Sequence, residues 1–214
     1  MRFRDRADAG RALARALESR VFPSPVVYAI PRGGVVVAAE VARALTCPLY
    51  IVVPRKIGAP FNPELAIGAV APDGTPILNH ALVRELGVSR SYIEEEARRQ
   101  AEEAERRQRA YGTSGPPSLP GKTALVIDDG IATGYTALAV AGYLRQKNPE
   151  RVVLAVPVAP PDTVPFLEEH FDEVIVLDTP LYFHAVGQFY DEFPQVSDQE
   201  VIALLAEVNG GMGA

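Results

Sequence analysis

The chain of 214 residues is 48% hydrophobic and 22% charged, an ordinary globular composition with enough apolar material for one large core. Its formal net charge of −6 argues against a nucleic-acid-binding surface, which concentrates Lys and Arg, and leaves small or locally handled anions open as ligands. The single cysteine excludes an intramolecular disulfide, and no apolar run reaches the length of a membrane span.

The opening stretch MRFRDRADAGRALARALESR is Arg-rich but carries Asp5, Asp8 and Glu18, unlike an acid-poor transit peptide. It reads as an amphipathic helix of a cytoplasmic protein with Leu13 and Leu17 on its apolar face; a membrane-surface helix fits less well, because that face is mostly alanine. PVVYAI is a β-branched run bounded by prolines, followed by PRGG and an Ala/Val-rich segment from Val35 to Leu45: strand, turn, helix. Cys47 falls between that helix and the next strand, LYIVVP, where a buried small hydrophobe is the expected role rather than a catalytic thiol. GAVAPDGTPILN reads as a hairpin around Asp73-Gly74.

From Ser91 to Tyr111 the chain is strongly helical. Ser91 and Glu94 have capping-box spacing, and Glu94/Arg98, Glu95/Arg99, Glu102/Arg106 and Glu103/Arg107 stand at i,i+4. The pattern predicts a largely solvated helix that touches the body through a thin alanine stripe, and the absence of a Leu/Ile heptad counts against a coiled coil. TSGPPSLPG then breaks the chain but is too short to separate two domains. KTALVID is a strand, Tyr135 to Lys147 a helix, RVVLAVPV and EVIVLDT two strands flanking a helix near Thr163 to His170, and Ser197 to Val208 a closing helix. This alternation calls for a parallel sheet covered on both faces, in one α/β domain over residues 1–214.

Two stretches invite a phosphate. Gly121-Lys122-Thr123 imitates a P-loop, but the preceding Gly115 is one residue too far away and the tripeptide leads into a strand, so a turn is the better reading. In ALVIDDGIATGYT, from Ala124 to Thr136, a strand runs into two adjacent acids and a small-residue loop before a helix. Backbone N–H groups at such a helix start favour an anion, and the Thr133 and Thr136 hydroxyls add donors; either threonine alone is equally explained as an N-cap. The acids accept hydrogen bonds from hydroxyls, so the combination suits a polyol beside its phosphate, that is, a sugar phosphate.

ALVIDDGIATGYT resembles the motif that binds 5-phosphoribosyl 1-diphosphate (PRPP) in type I phosphoribosyltransferases. PRGG at Pro31 to Gly34 resembles that family's pyrophosphate loop, and RKIGAPFNPELAIGAV stands in the place of its flexible catalytic loop. The resemblance covers roughly residues 25 to 195, comparable to one ordinary domain. It implies a doubly wound, mainly parallel sheet with helices on both faces and a small hood and flexible-loop region. Asp128 and Asp129 would hold the ribose hydroxyls, Gly130 and Ala132, Thr133, Gly134, Tyr135 and Thr136 would surround the 5′-phosphate, and Arg32, Gly33 and Gly34 would face pyrophosphate. Arg55 and Lys56 would bring charge over the leaving group as their loop closes, making them catalytic together with Asp128 and Asp129.

The resemblance further implies Mg²⁺ bound mainly through substrate oxygens and water, with no dedicated protein ligands. His80, His170 and His184 lack metal-ligand spacing and are expected to be structural or exposed. The acceptor is unidentified. In LYFHAVGQFYDEF, Tyr182 or Phe183 would stack on a planar base, although core packing explains either ring equally well. The lysine that shortly precedes the aromatic in the purine enzymes is missing, since no lysine follows Lys147. The partners implied are PRPP and a small acceptor, with no nucleic acid and no membrane, and a homo-oligomer is compatible with them. A PRPP-sensing regulator and a hydrolase of phosphoribosyl compounds are the competing readings.

Overall fold

Alternation along the strands decides which side of the sheet each helix covers. The computed structural model describes residues 1–112 and 118–211. Five strands, β1 (Val26–Ala29), β2 (Leu49–Ile51), β6 (Thr123–Ile127), β7 (Arg151–Val158) and β8 (Glu173–Asp178), form a parallel sheet in the order β2-β1-β6-β7-β8. Val27, Ala29, Leu125, Ile127, Val153 and Ala155 face one side. There they pack with α1 (Arg6–Glu18), α2 (Gly33–Leu45) and α7 (Asp198–Gly210). Val26, Tyr28, Ala124, Val126, Val152 and Leu154 face the other, under α5 (Tyr135–Arg145) and α6 (Val164–Glu168). Apolar residues on both faces are what a doubly wound parallel sheet requires. Leu13 and Leu17 are fully buried beneath α1 as their spacing predicts, and truncating either to alanine would cost about 2–5 kcal/mol.

A second, three-stranded antiparallel sheet forms the hood: β3 (Arg55–Ala59), β4 (Asn62–Val70) and β5 (Pro76–Leu78), followed by α3 (His80–Glu85) and α4 (Arg90–Ala110). Its own small core joins Ile57, Ile67 and Val70 to Ile93, Ala97 and Ala101 of α4. The flexible loop expected over RKIGAPFNPELAIGAV is therefore a paired hairpin, bulged at Gly58. Its alternating apolar residues find the alanine stripe of α4 and the backbone pairs accordingly. A Cβ at Gly58 would lie 2.5 Å from the Pro63 carbonyl oxygen, so the bulge depends on glycine. The Asp73-Gly74 turn links β4 to β5 as expected, with Gly74 at φ 83°.

Helix α4 starts two residues away from the predicted cap. Ser89 is the N-cap, its side chain accepting the Tyr92 N–H at 3.2 Å, and Ser91 lies inside the first turn. Of the four expected i,i+4 pairs, Glu103–Arg107 forms at 2.8 Å. Arg98 turns instead to Glu102, Arg99 to Glu96 and Arg106 to Glu103. Burial accounts for the Arg99 exchange: Glu96 lies on the packed side of α4, and Arg99 and Gln100 both donate to it.

Cys47 is buried, and burial pushes its thiol up to about 11, which keeps it protonated and inert. Lys122 closes a turn by donating its N–H to the Leu119 carbonyl before β6, so the P-loop imitation is a turn. His80, His170 and His184 are exposed. No helix among the described residues is long and apolar enough to cross a membrane. Of the expected TSGPPSLPG break, residues 113–117 lie outside the described residues.

Candidate active site

Strands β1 and β6 are neighbours, so the loops leaving their carboxyl ends start side by side, and Ile30 donates its N–H to the Ile127 carbonyl at 2.9 Å. Open parallel sheets place ligands in such a crevice. The first loop carries Pro31-Arg32-Gly33-Gly34, with a cis peptide between Pro31 and Arg32; the second carries Asp128 to Gly134. The β3 strand of the hood brings Arg55 and Lys56 over the same place. Together they border a cavity of about 580 Å³ lined by Arg32, Gly33, Arg55, Lys56, Asp128, Asp129 and Thr136. Beside it, Gly130, Ala132, Thr133, Gly134, Tyr135 and Thr136 line a pocket of about 220 Å³. Lys56, Asp128 and Thr136 border both.

The smaller pocket sits at the start of α5, where the first N–H groups have no partner within the helix. Gly134, at φ 84°, is the N-cap and no side chain caps that end, so neither threonine plays the capping role that would explain it on structural grounds. A Cβ at Gly134 would also meet Leu167 Cδ2 at 2.9 Å. Gly34, outside the cavity lining, is a close-approach position: its Cβ would stand 2.9 Å from Asp128 Cα.

The two acids differ in their surroundings. The Asp129 backbone N–H donates to Asp128 Oδ1 at 2.8 Å, and the Tyr190 hydroxyl donates to the Asp129 carbonyl at 2.5 Å. Burial, and after it the neighbouring charge of Asp129, pushes the Asp128 carboxyl well above the usual carboxylate range. Asp129 instead forms an ion pair: Arg6 Nε donates to its Oδ2 at 2.7 Å. Arg6 escaped the sequence reading because it sits in an Arg-rich opening that looks solvated. The contact spans 123 residues, and no local spacing signals it.

The hood also supplies a wall that the reading of α4 as a plain solvated helix missed: Tyr92, Glu96, Arg99 and Gln100 line the larger cavity. Tyr92 donates its hydroxyl to the Gly58 carbonyl at 2.9 Å, and Arg55 Nε donates to Gln100 Oε1 at 3.1 Å. Burial lowers the Arg55 pKa, as does nearby Arg107. Tyr182 and Phe183 line neither cavity. Tyr182 is 83% exposed and Phe183 packs on Phe189 with ring centres 5.1 Å apart, while Val186 of the same segment borders the smaller pocket.

Among the described residues no group of three or more His, Cys, Asp or Glu side chains is assembled to hold a metal. The charged groups lining the crevice are Asp128, Asp129, Glu64 and Glu96 together with Arg32, Arg55, Lys56 and Arg99, a mixed set suited to a ligand that carries phosphate charge and hydroxyls together.

An α/β sheet with its acidic and glycine-rich loops joined at the strand ends defines the class, and residues 58–193 match the family model for the phosphoribosyl transferase domain: the chain belongs to that family. Its relatives include “Putative phosphoribosyl transferase Rv0571c” of Mycobacterium tuberculosis (strain ATCC 25618 / H37Rv), 45% identical over 205 residues, covering 95% of this chain and 46% of that protein. The crystal structure of TT1426 from Thermus thermophilus superposes with a TM-score of 0.81 at 44% identity, covering 97% of this chain and 99% of that one. A uracil phosphoribosyltransferase of Bifidobacterium longum (strain DJO10A) is 29% identical over 139 residues, 63% of this chain and 61% of that protein. The chain thus spans about half the length of the Mycobacterium protein and less than two thirds of the Bifidobacterium one. Arg6, Arg32, Gly33, Arg55 and Lys56 precede the matched span.

Proposed function

We propose that this protein is a Mg²⁺-dependent phosphoribosyltransferase that moves the 5-phosphoribosyl group of PRPP to a nitrogen of a small acceptor, with release of pyrophosphate. The observation that carries the reading is the meeting of three distant segments, Arg32-Gly33, Arg55-Lys56 and Asp128-Asp129, around one cavity that adjoins the Gly130–Thr136 pocket. The smaller pocket accepts the 5′-phosphate on the N–H groups at the start of α5. Asp128 and Asp129 accept hydrogen bonds from the ribose hydroxyls. Arg32, Arg55 and Lys56 face the pyrophosphate.

As the bond from C1 to the pyrophosphate oxygen breaks, positive charge develops on the sugar and negative charge on the leaving group, which the three basic residues stabilise. Positioning and electrostatics supply most of such a rate enhancement, and the β3–β4 hairpin over the cavity keeps water from the activated sugar. Mg²⁺ would be held mainly through substrate oxygens and water beside Arg32, Arg55 and Lys56, and would supply further neutralising charge at the pyrophosphate. A cytoplasmic setting is part of the same proposal.

Calorimetric titration with PRPP and Mg²⁺ tests the site. Asp128→Asn and Asp129→Asn should each weaken binding by about tenfold to a hundredfold, the loss of one charge-assisted hydrogen bond. Unchanged affinity in both would remove the assignment. Pyrophosphate release across a panel of acceptors tests the reaction, with uracil tried first because of the Bifidobacterium relative. Binding without turnover on every acceptor would mark a PRPP-sensing protein instead.

A further inference from the structure

We infer that Arg6 is a positioning residue for sugar recognition: it sets the plane of the Asp129 carboxylate from outside the cavity, through a clamp built by three separate segments of the chain. The inference rests on the reading of the site as one for PRPP. Arg6 opens α1 in the middle of an Arg-rich stretch, yet it is only 8% exposed. Its Nε donates to Asp129 Oδ2 at 2.7 Å and its Nη1 to the Pro194 carbonyl at 2.6 Å, and its Cζ lies 3.6 Å from the centre of the Phe193 ring. A planar guanidinium held at two donors and stacked on an aromatic face has little freedom left, so the carboxylate it grips is fixed as well. Phe193 is itself held against Tyr190, 4.9 Å between ring centres, and Tyr190 donates to the Asp129 backbone carbonyl at 2.5 Å.

Gly33 records the same device from the opposite side. A Cβ there would lie 1.9 Å from Asp129 Oδ2 and 2.7 Å from Arg6 Nε. The glycine therefore makes room for the ion pair itself. Nothing on α1 enters the lining of either cavity, so Arg6 acts through Asp129 and not on the ligand.

Titrations of PRPP with Mg²⁺, and separately of inorganic pyrophosphate with Mg²⁺, into wild type, Arg6→Met, Asp129→Asn and the double variant decide the matter. Arg6→Met should weaken PRPP roughly tenfold in the wild-type background and leave pyrophosphate affinity within about twofold; in the Asp129→Asn background its effect on PRPP should vanish. Thermal melting checks each fold. If Arg6→Met does not fold, Phe193→Leu, which removes only the stacking surface, and Arg6→Lys, which keeps the charge without the fork, should both weaken PRPP and spare pyrophosphate. Equal losses for both ligands would show a merely structural role and overturn the inference, as would effects that add in the double variant. Tighter PRPP binding in Arg6→Met would show that Arg6 competes with the sugar, and would overturn it too. A wild type that binds no PRPP overturns the reading of the site and this inference with it, whereas wild-type binding with unaltered Arg6→Met affinity overturns this inference alone.

Discussion

Asp128 stands between stability and function. Its carboxyl is raised by burial and by the charge of Asp129, so the folded protein retains a proton that the unfolded chain sheds near pH 4. Its favourable contribution is complete below that unfolded pKa and is lost as pH rises through the folded one. At neutral pH the ligand-free site therefore carries a cost, which Asp128→Asn removes. The variant should melt higher at pH 7, with a shallower fall in stability as pH rises above about 4, even as it loses PRPP affinity. Melting curves across that pH range check both signs. Gly33→Ala should act in the opposite direction, destabilising the protein by about 1–3 kcal/mol as its Cβ pushes on the Asp129 carboxylate, and urea denaturation measures it. That these glycines and acids belong together was legible from PRGG and ALVIDDGIATGYT. That Gly33 yields space to a side chain was not, because the side chain and its arginine arrive from residues 129 and 6.

At the level of elements, the hood is where sequence patterns and structure part. The family resemblance put a flexible loop at RKIGAPFNPELAIGAV, but Ile57 and Ile67 bury against Ile93 and Ala97 and draw the backbone into a hairpin. Local spacing equally pointed to Ser91 as the cap of α4, whereas the chain turns at Ser89. Ser89→Ala should therefore cost about 1 kcal/mol, and Ser91→Ala no more than about 0.5 kcal/mol. Denaturation of the two variants side by side distinguishes them, and equal losses would return the cap to Ser91. The surface ion pairs of α4 re-sorted without consequence for the fold, as expected of exposed pairs that any neighbouring arginine satisfies.

For the molecule as a whole, the five-stranded sheet and the hood meet where α5 and β4 pack, so the cavity closes only if both parts are folded. Saturating PRPP with Mg²⁺, at about a hundred times its Kd, should raise the melting temperature by about 5–10 °C. Calorimetry should show one cooperative transition, with and without ligand; a separate early transition abolished by ligand would make the hood an independent unit. The sequence by itself determined the parallel α/β architecture, since continuously apolar strands alternating with helices leave few other ways to bury both faces. It also determined the two acids and the small-residue loop, because those lie within thirteen consecutive residues. Only the tertiary structure decided that Arg6 holds Asp129, that the hood is a hairpin walled by α4, and that Tyr182 lines neither cavity while Val186 borders one. Each of these depends on contacts between segments far apart in the chain, and the energy of such contacts is set by burial and geometry that no local pattern records.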